Sequence, residues 1–289
     1  MIDGQANDGV PAVSARWVRL LLWYGPRYVR KHFSAVRLLG DVPTAADGRP
    51  VLIYMNHPSW WDPMAIMVLI DRYFRGRRHY GPIDAAALSR YRFMAKLGFF
   101  GIDPGTRAGA ARFLRVGEAV LSRPGGTLWV TAQGEFTDAR ERPVRLRPGV
   151  AHLARRCGAG PIRGASVEGP AGGEAGAVAW PLAVEYGFGQ EKQAEMRLAF
   201  GEPVELGAGE RSVAAWRGDL EGRLTEAMDR LASASVEAVT GPGAGFTVLN
   251  EGTRGVGGVY DVWRRLRAWG RGERFDPAHG AAEPGRGAG

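Results

Sequence analysis

A histidine followed by an aspartate with four residues between them can work as a base and its orienter, and the chain holds two such pairs. They are His57 with Asp62 and His79 with Asp84. Local context separates them. His57 follows the apolar run Val51 to Met55, which reads as a buried strand. Asp62 precedes a second run, Met64 to Ile70, which reads as a helix with Pro63 suited to a first helical position. His79 sits among Arg77, Arg78 and Tyr80, with Gly81-Pro82 ahead of Asp84. The first pair is therefore the candidate. An aspartate that holds one imidazole nitrogen fixes the tautomer and leaves the far nitrogen to take a proton from a hydroxyl. The plainer structural reading of the same residues is a turn histidine satisfied by a capping aspartate.

The spacing constrains how the pair can meet. On a regular helix two residues five apart lie about 140° around the axis and face away from each other. Pro58 and Pro63 bias the residues before them out of the α region. The stretch between can then fold back, with Asp62 near a helix N-cap and in reach of the imidazole. Backbone amides at the helix start after Asp62 would serve as donors to an oxyanion. No nucleophile stands out: there is no Gly-x-Ser-x-Gly, and the single cysteine, Cys157, lies in Arg155-Arg156-Cys157-Gly158 and reads as structural filler. The residues suggest general-base chemistry rather than a covalent nucleophile.

Further motifs follow in order. Gly98-Phe99-Phe100-Gly101-Ile102-Asp103 is followed by Arg107, then come Thr131-Ala132-Gln133-Gly134-Glu135 and the basic run Arg145-Leu146-Arg147-Pro148-Gly149. Trp180-Pro181-Leu182-Ala183-Val184 closes the series. Together with Asn56-His57-x4-Asp62 they resemble the motifs of the glycerolipid acyltransferases, the lysophospholipid or 1-acylglycerol-3-phosphate acyltransferase family. The resemblance covers roughly residues 50–205. It implies an α/β fold in which His57 and Asp62 move an acyl group to an acceptor hydroxyl. The donor would be acyl-CoA or acyl carrier protein, and no separate cofactor is implied. It further implies a substrate site drawn from Asn56, Ser59, Asp103, Arg107, Gln133, Gly134, Glu135, Arg147 and Pro181, with the second motif helping to bind the acceptor phosphate. Pro104 stands where the family usually has Arg, and Gln133 where it has Glu, unless Glu135 serves one position later. Because both departures fall where the family handles a phosphate head group, acylation of a glycolipid or other hydroxylated lipid stays open as an alternative.

The elements that must position these residues read as one α/β domain with a mostly parallel central sheet flanked by helices, since strand and helix patterns alternate over about 50–235. In outline, residues 1–12 are expected to be a disordered leader and 13–40 an amphipathic helical segment. The acyltransferase domain would span 41–240, with a flexible insertion at 158–177, and 241–289 would be a Gly-rich extension containing one helix at Tyr260 to Trp269. In the N-terminal segment Trp17, Leu20, Leu21, Tyr24 and Tyr28 alternate with Arg16, Arg19, Arg27, Arg30 and Lys31, and Pro26 should kink or divide it. Aromatics beside arginines suit a helix lying in a membrane interface; a helix packed on the domain with solvated arginines is the alternative.

At 289 residues, with 45% hydrophobic and 24% charged residues, the chain can bury one sizeable core. The net charge is +8, nearly all from arginine, with lysine only at Lys31, Lys96 and Lys192. Coding bias explains that as well as an anionic partner does. Apolar runs fall far short of the roughly 20 residues a membrane span needs, and the acidic start of the chain does not resemble a secretory signal. A peripheral protein on the cytoplasmic face of the membrane is expected, whose partners are an acyl thioester, a lipid acceptor and the membrane surface. A non-catalytic basic protein binding membranes or nucleic acid is the remaining class. No nucleic-acid motif supports it, so no nucleic-acid partner is expected.

Overall fold

The computed structural model describes residues 9–44, 48–157, 176–189, 191–206, 211–240 and 245–252. Residues 158–175 of the expected insertion at 158–177, the first eight residues, and the expected helix at Tyr260 to Trp269 lie outside them. Helix α1 (Ala15–His32) leads into strand β1 (Ala35–Leu39), then β2 (Val51–Met55), α2 (Asp62–Leu69) with a π-helical turn to Phe74, and β3 (Arg78–Asp84). After α3 (Ala85–Arg90) and a short 3₁₀ segment come β4 (Phe99–Ile102), α4 (Arg107–Leu121), β5 (Gly126–Thr131) and α5 (Pro148–Cys157). The chain continues through β6 (Val178–Gly187), β7 (Glu195–Phe200), β8 (Val204–Glu205), α6 (Val213–Thr240) and β9 (Phe246–Glu251).

These strands form one sheet in the order β4-β3-β5-β2-β6-β7-β1-β9, with β8 beside β6. The pairs β3·β4, β3·β5, β2·β5, β2·β6 and β1·β7 are parallel, while β7 and β8 run antiparallel to β6, and β9 to β1. All five residues of β2 are buried. Val-Leu-Ile-Tyr-Met has no polar face because helices cover both sides, which is why the run is continuous rather than alternating. Leu52 and Tyr54 face the layer holding Phe113, Leu153 and Leu220 of α4, α5 and α6. Val51, Ile53 and Met55 face the layer of α1 and α2, with Val29, Ala65 and Leu69. A fully buried Val or Leu side chain contributes about 1.5–3 kcal/mol, so central strands of this kind hold the sheet together.

Two segments differ from the expectation. Residues 35–39 form a strand instead of continuing the N-terminal helix. Arg37 in the middle of that strand pairs with Glu195 of β7 at 2.9 Å, which lets a charged residue sit in the sheet. The stretch from 246 to 251, expected as extension, is strand β9 and belongs to the sheet. Pro26 does not divide α1. The helix runs through it, held where a β-carbon on Gly25 would come within 2.9 Å of Met67 Sδ, and Asn250 donates to the Pro26 carbonyl at 2.8 Å.

Candidate active site

Parallel strands β2 and β5 end side by side, and ligands in open α/β sheets bind beyond such carboxyl ends. His57 stands two residues past the end of β2. Its Nδ1 lies 2.6 Å from Asp62 Oδ2. The Asp62 side chain is fully buried, whereas the imidazole is 20% exposed. An ionised carboxylate only accepts, so Nδ1 carries the proton and Nε2 is the basic nitrogen. The two residues meet as the spacing required, though by a different local route. Asp62 is not extended. It is the first residue of α2, and the chain folds back through a turn in which Asp62 N–H donates to Ser59 O at 3.2 Å. Ser59 Oγ accepts from Trp61 N–H at 3.2 Å, and Ser59 N–H approaches Asp62 Oδ2 at 3.5 Å. Pro63 is tolerated because the first helical N–H groups have no intrahelical acceptor.

The same turn removes the expected oxyanion donors. The amides of Met64 and Ala65 both point to Trp61 O, at 2.8 and 3.2 Å, and the amide of Asp62 is engaged with Ser59.

The other oxygen of Asp62 is also occupied. Tyr186 Oη donates to Oδ1 at 2.7 Å. Burial raises the Tyr186 phenol well above its ordinary range, and the neighbouring Asp62 adds to it, so the group stays protonated and donates. Sequence reasoning passed over Tyr186, yet strand parity points to it. Side chains alternate between the two faces along β6, so Trp180, Leu182, Val184 and Tyr186 share the face that Ile53 and Met55 occupy on β2.

The loop after β5 grips the base through its main chain. His57 N–H donates to Gln133 Oε1 at 2.7 Å, and Thr137 N–H donates to His57 O at 3.0 Å. Ala132 N–H donates to Met55 O at 2.8 Å. Gln133 is buried, and its side-chain oxygen is turned to this task. Gly134 takes a positive φ of +70°, and a β-carbon there would fall 2.8 Å from Arg147 Cγ. Arg147 lies over that turn, with Nε donating to Gln133 O at 3.3 Å and its guanidinium 3.5 Å from Glu135. Phe136, not foreseen from the sequence, packs against the base at a tilt of 37° with ring centroids 4.4 Å apart while remaining largely exposed. An aromatic rim continues on the other side, where Trp61 meets Trp60, Tyr28, His32 and Phe33.

The remaining sequence candidates fall in two groups. Asn56 is buried and uses both ends of its amide on the Val184 main chain, at 2.8 and 2.9 Å, tying the residue after β2 to the neighbouring strand β6. Pro181 is buried in mid-strand opposite Tyr54 and accepts from Gly201 N–H. Neither is brought to the imidazole. Asp103 and Arg107 are exposed at the turn between β4 and α4, where Thr106 caps the helix by accepting from Gly109 N–H. They lie on the same carboxyl edge of the sheet as His57, with β3 and β5 between.

The second His/Asp pair is structural. His79 Nε2 donates to Phe74 O at 2.8 Å, and its Nδ1 accepts from the Trp129 indole at 3.1 Å, a donor only. Burial pushes its pKa down to about 4. Asp84 caps α3, accepting from the amides of Ala86 and Ala87. Cys157 has its thiol pushed up to about 12 by burial and by Glu118.

Residues 26–167 match the family model described as Acyltransferase. The chain carries an acyltransferase-family domain. The match takes in His57, Asp62, Gln133 and Arg147, while Tyr186 lies beyond it. Among solved structures, the chain is similar in fold to the 1-acyl-sn-glycerophosphate (LPA) acyltransferase PlsC from Thermotoga maritima. The TM-score is 0.51 at 14% identity, over 75% of this chain and 80% of that one. No curated protein sequence matches the chain. Among the described residues, no helix is long and apolar enough to cross a membrane.

Proposed function

We propose that this acyltransferase moves a fatty acyl group from an acyl-CoA or acyl carrier protein thioester to a hydroxyl of a lysophospholipid-like acceptor, making it an O-acyltransferase. The observation that carries the reading is the 2.6 Å pair of a partly exposed imidazole and a fully buried carboxylate. As the acceptor oxygen attacks the thioester carbon, its proton passes to His57 Nε2. Asp62 stabilises the imidazolium through Nδ1–H. When the tetrahedral intermediate collapses, the C–S bond breaks and the imidazolium returns the proton to the leaving thiolate. General-base help of this type contributes typically 10²–10⁴-fold.

Arg107, on the carboxyl edge of the sheet, suits an anionic head group, because a guanidinium presents forked donors to phosphate. Arg147 is tied to the loop beside His57 and completes a basic approach. Helix α1 supports membrane docking: Trp17, Leu20, Trp23 and Tyr24 are exposed, and Arg27 lies over the Trp23 ring at 4.7 Å. The purified protein, assayed for thiol release from acyl-CoA and from acyl carrier protein thioesters with a panel of lysophospholipids and hydroxylated glycolipids, should turn over with a lysophospholipid. Turnover should fall at least a hundredfold in His57→Ala, as about the lower bound for loss of a general base. Unchanged turnover in that variant would overturn the reading, and turnover with glycolipids alone would move it to a phosphate-free acceptor.

A further inference from the structure

We propose that Tyr186 is a positioning residue for the His57–Asp62 pair, fixing the carboxylate by its free oxygen so that only the other oxygen meets the imidazole. The inference rests on the acyl-transfer reading above and adds a third group to it. A carboxylate has two oxygens and a rotatable χ2, so a single contact to His57 leaves it free to turn. Here Oδ2 meets the imidazole at 2.6 Å and, more distantly, Ser59 N–H at 3.5 Å, while Oδ1 is held by the Tyr186 phenol at 2.7 Å. The side chain has no exposure through which water could replace the phenol. Tyr186 is itself held. It sits near the end of β6, paired with Met196 of β7, and its ring packs against Phe33 at 5.9 Å. Phe33 in turn meets Trp61 edge to face at 4.9 Å, and Trp61 precedes Asp62 directly. The phenol and the carboxylate are thus set by one packed cluster linking β6, the end of α1 and the start of α2.

A phenol in this place does not touch the reacting atoms. It acts through Asp62, by keeping the imidazole in one orientation and by sharing the carboxylate's charge. Its removal therefore should slow the chemical step without weakening the hold on the thioester.

The test is Tyr186→Phe, which keeps the ring and its contact with Phe33. We expect kcat to fall roughly tenfold, the loss of one hydrogen bond to a charged group, with KM for acyl-CoA unchanged within about twofold. In an Asp62→Asn background, where the charged partner is gone, the same change should lower the residual kcat by less than about twofold. A Tyr186→Phe enzyme within about twofold of wild type, or one losing the full tenfold again beside Asp62→Asn, would overturn the proposal. Should Tyr186→Phe not fold, 3-fluorotyrosine placed at position 186 keeps ring and O–H while strengthening the donor. A kcat shifted by about twofold or more at constant KM then supports the role, and an unaltered kcat refutes it. The outcomes separate from those of the underlying reading. Full turnover in His57→Ala removes acyl transfer by the pair altogether, whereas an inactive His57→Ala beside a normal Tyr186→Phe removes only the tyrosine.

Discussion

The main-chain N–H of His57 donates to Gln133 Oε1 at 2.7 Å, so the loop after β5 positions the base by its peptide and leaves the ring to Asp62. The requirement at position 133 is an acceptor oxygen at the right height, which a carboxamide meets as well as a carboxylate. That accounts for how glutamine can stand where the resembling family has glutamate. Gln133→Leu removes the acceptor and leaves a partly buried N–H unpaired, at a cost of about 1–3 kcal/mol. It should lower kcat by roughly one to two orders of magnitude, since a base displaced by an ångström loses about that much. Gln133→Glu keeps the acceptor and should retain more activity than Gln133→Leu. Steady-state kinetics on the two variants, with melting temperatures alongside, check both statements, and equal losses would refute the positional role.

Much of this arrangement was legible in the sequence because it is local. The strand-turn-helix around His57 follows from two apolar runs divided by prolines, and Asp62 meets the imidazole as required. What escaped depended on partners distant in the chain. Strand β1 reads poorly because Arg37 interrupts it, and only Glu195, 158 residues on, makes that arginine tolerable in the sheet. Strand β9 has a single buried residue, Leu249, so its pattern is weak until β1 is known to offer an open edge. Asn56 reads as a substrate ligand because it adjoins the base, whereas both ends of its amide are engaged by the main chain of Val184 in β6. The helix-start amides read as free for an oxyanion until the turn at Ser59 and Trp61 claims them. Tyr186 is 124 residues from Asp62, and strand parity gives the face it occupies but not its partner.

Stability should depend on acid through His79. Folding lowers its pKa from the ordinary 6.5 to about 4, because burial disfavours the charged ring. The unfolded chain therefore binds a proton first as the pH drops, and stability falls between about pH 6.5 and pH 4, then levels off. The full change from this one group is up to about 3 kcal/mol. Urea unfolding at pH 7, 5.5 and 4.5 should show the decline in wild type and a shallower one in His79→Gln. Parallel declines in the two proteins would show that other groups set the acid limit.

Cys157 should take no part in catalysis. Its thiol is pushed up to about 12 by burial, with Glu118 adding to the shift, so almost none of it is thiolate at neutral pH. Iodoacetamide at pH 8 should label the folded protein at least about tenfold more slowly than the urea-unfolded one, three pKa units allowing far more before local opening intervenes. Cys157→Ala should keep full turnover and accumulate no acyl-enzyme in a stopped reaction. A trapped thioester on Cys157 would replace direct transfer by a two-step mechanism.

Helix α1 offers a last test, because it does two things on two faces. Gly25 and Val29 are buried against the domain, while Leu20, Trp23 and Tyr24 stay exposed beside Arg27. An inward-facing apolar stripe explains folding, but it does not explain why the outer face also keeps a leucine, a tryptophan and a tyrosine next to cations. A bilayer does, since aromatic rings and arginine stems lie at the head-group level. Leu20→Glu with Trp23→Glu should leave the melting temperature within a few degrees, as both side chains are more than half exposed. Sedimentation with vesicles of mixed neutral and anionic phospholipid should fall by at least about tenfold, each buried apolar side chain being worth about 1.5–3 kcal/mol. Undiminished sedimentation of the double variant would assign the outer face of α1 to some other contact and leave the membrane association to another part of the chain.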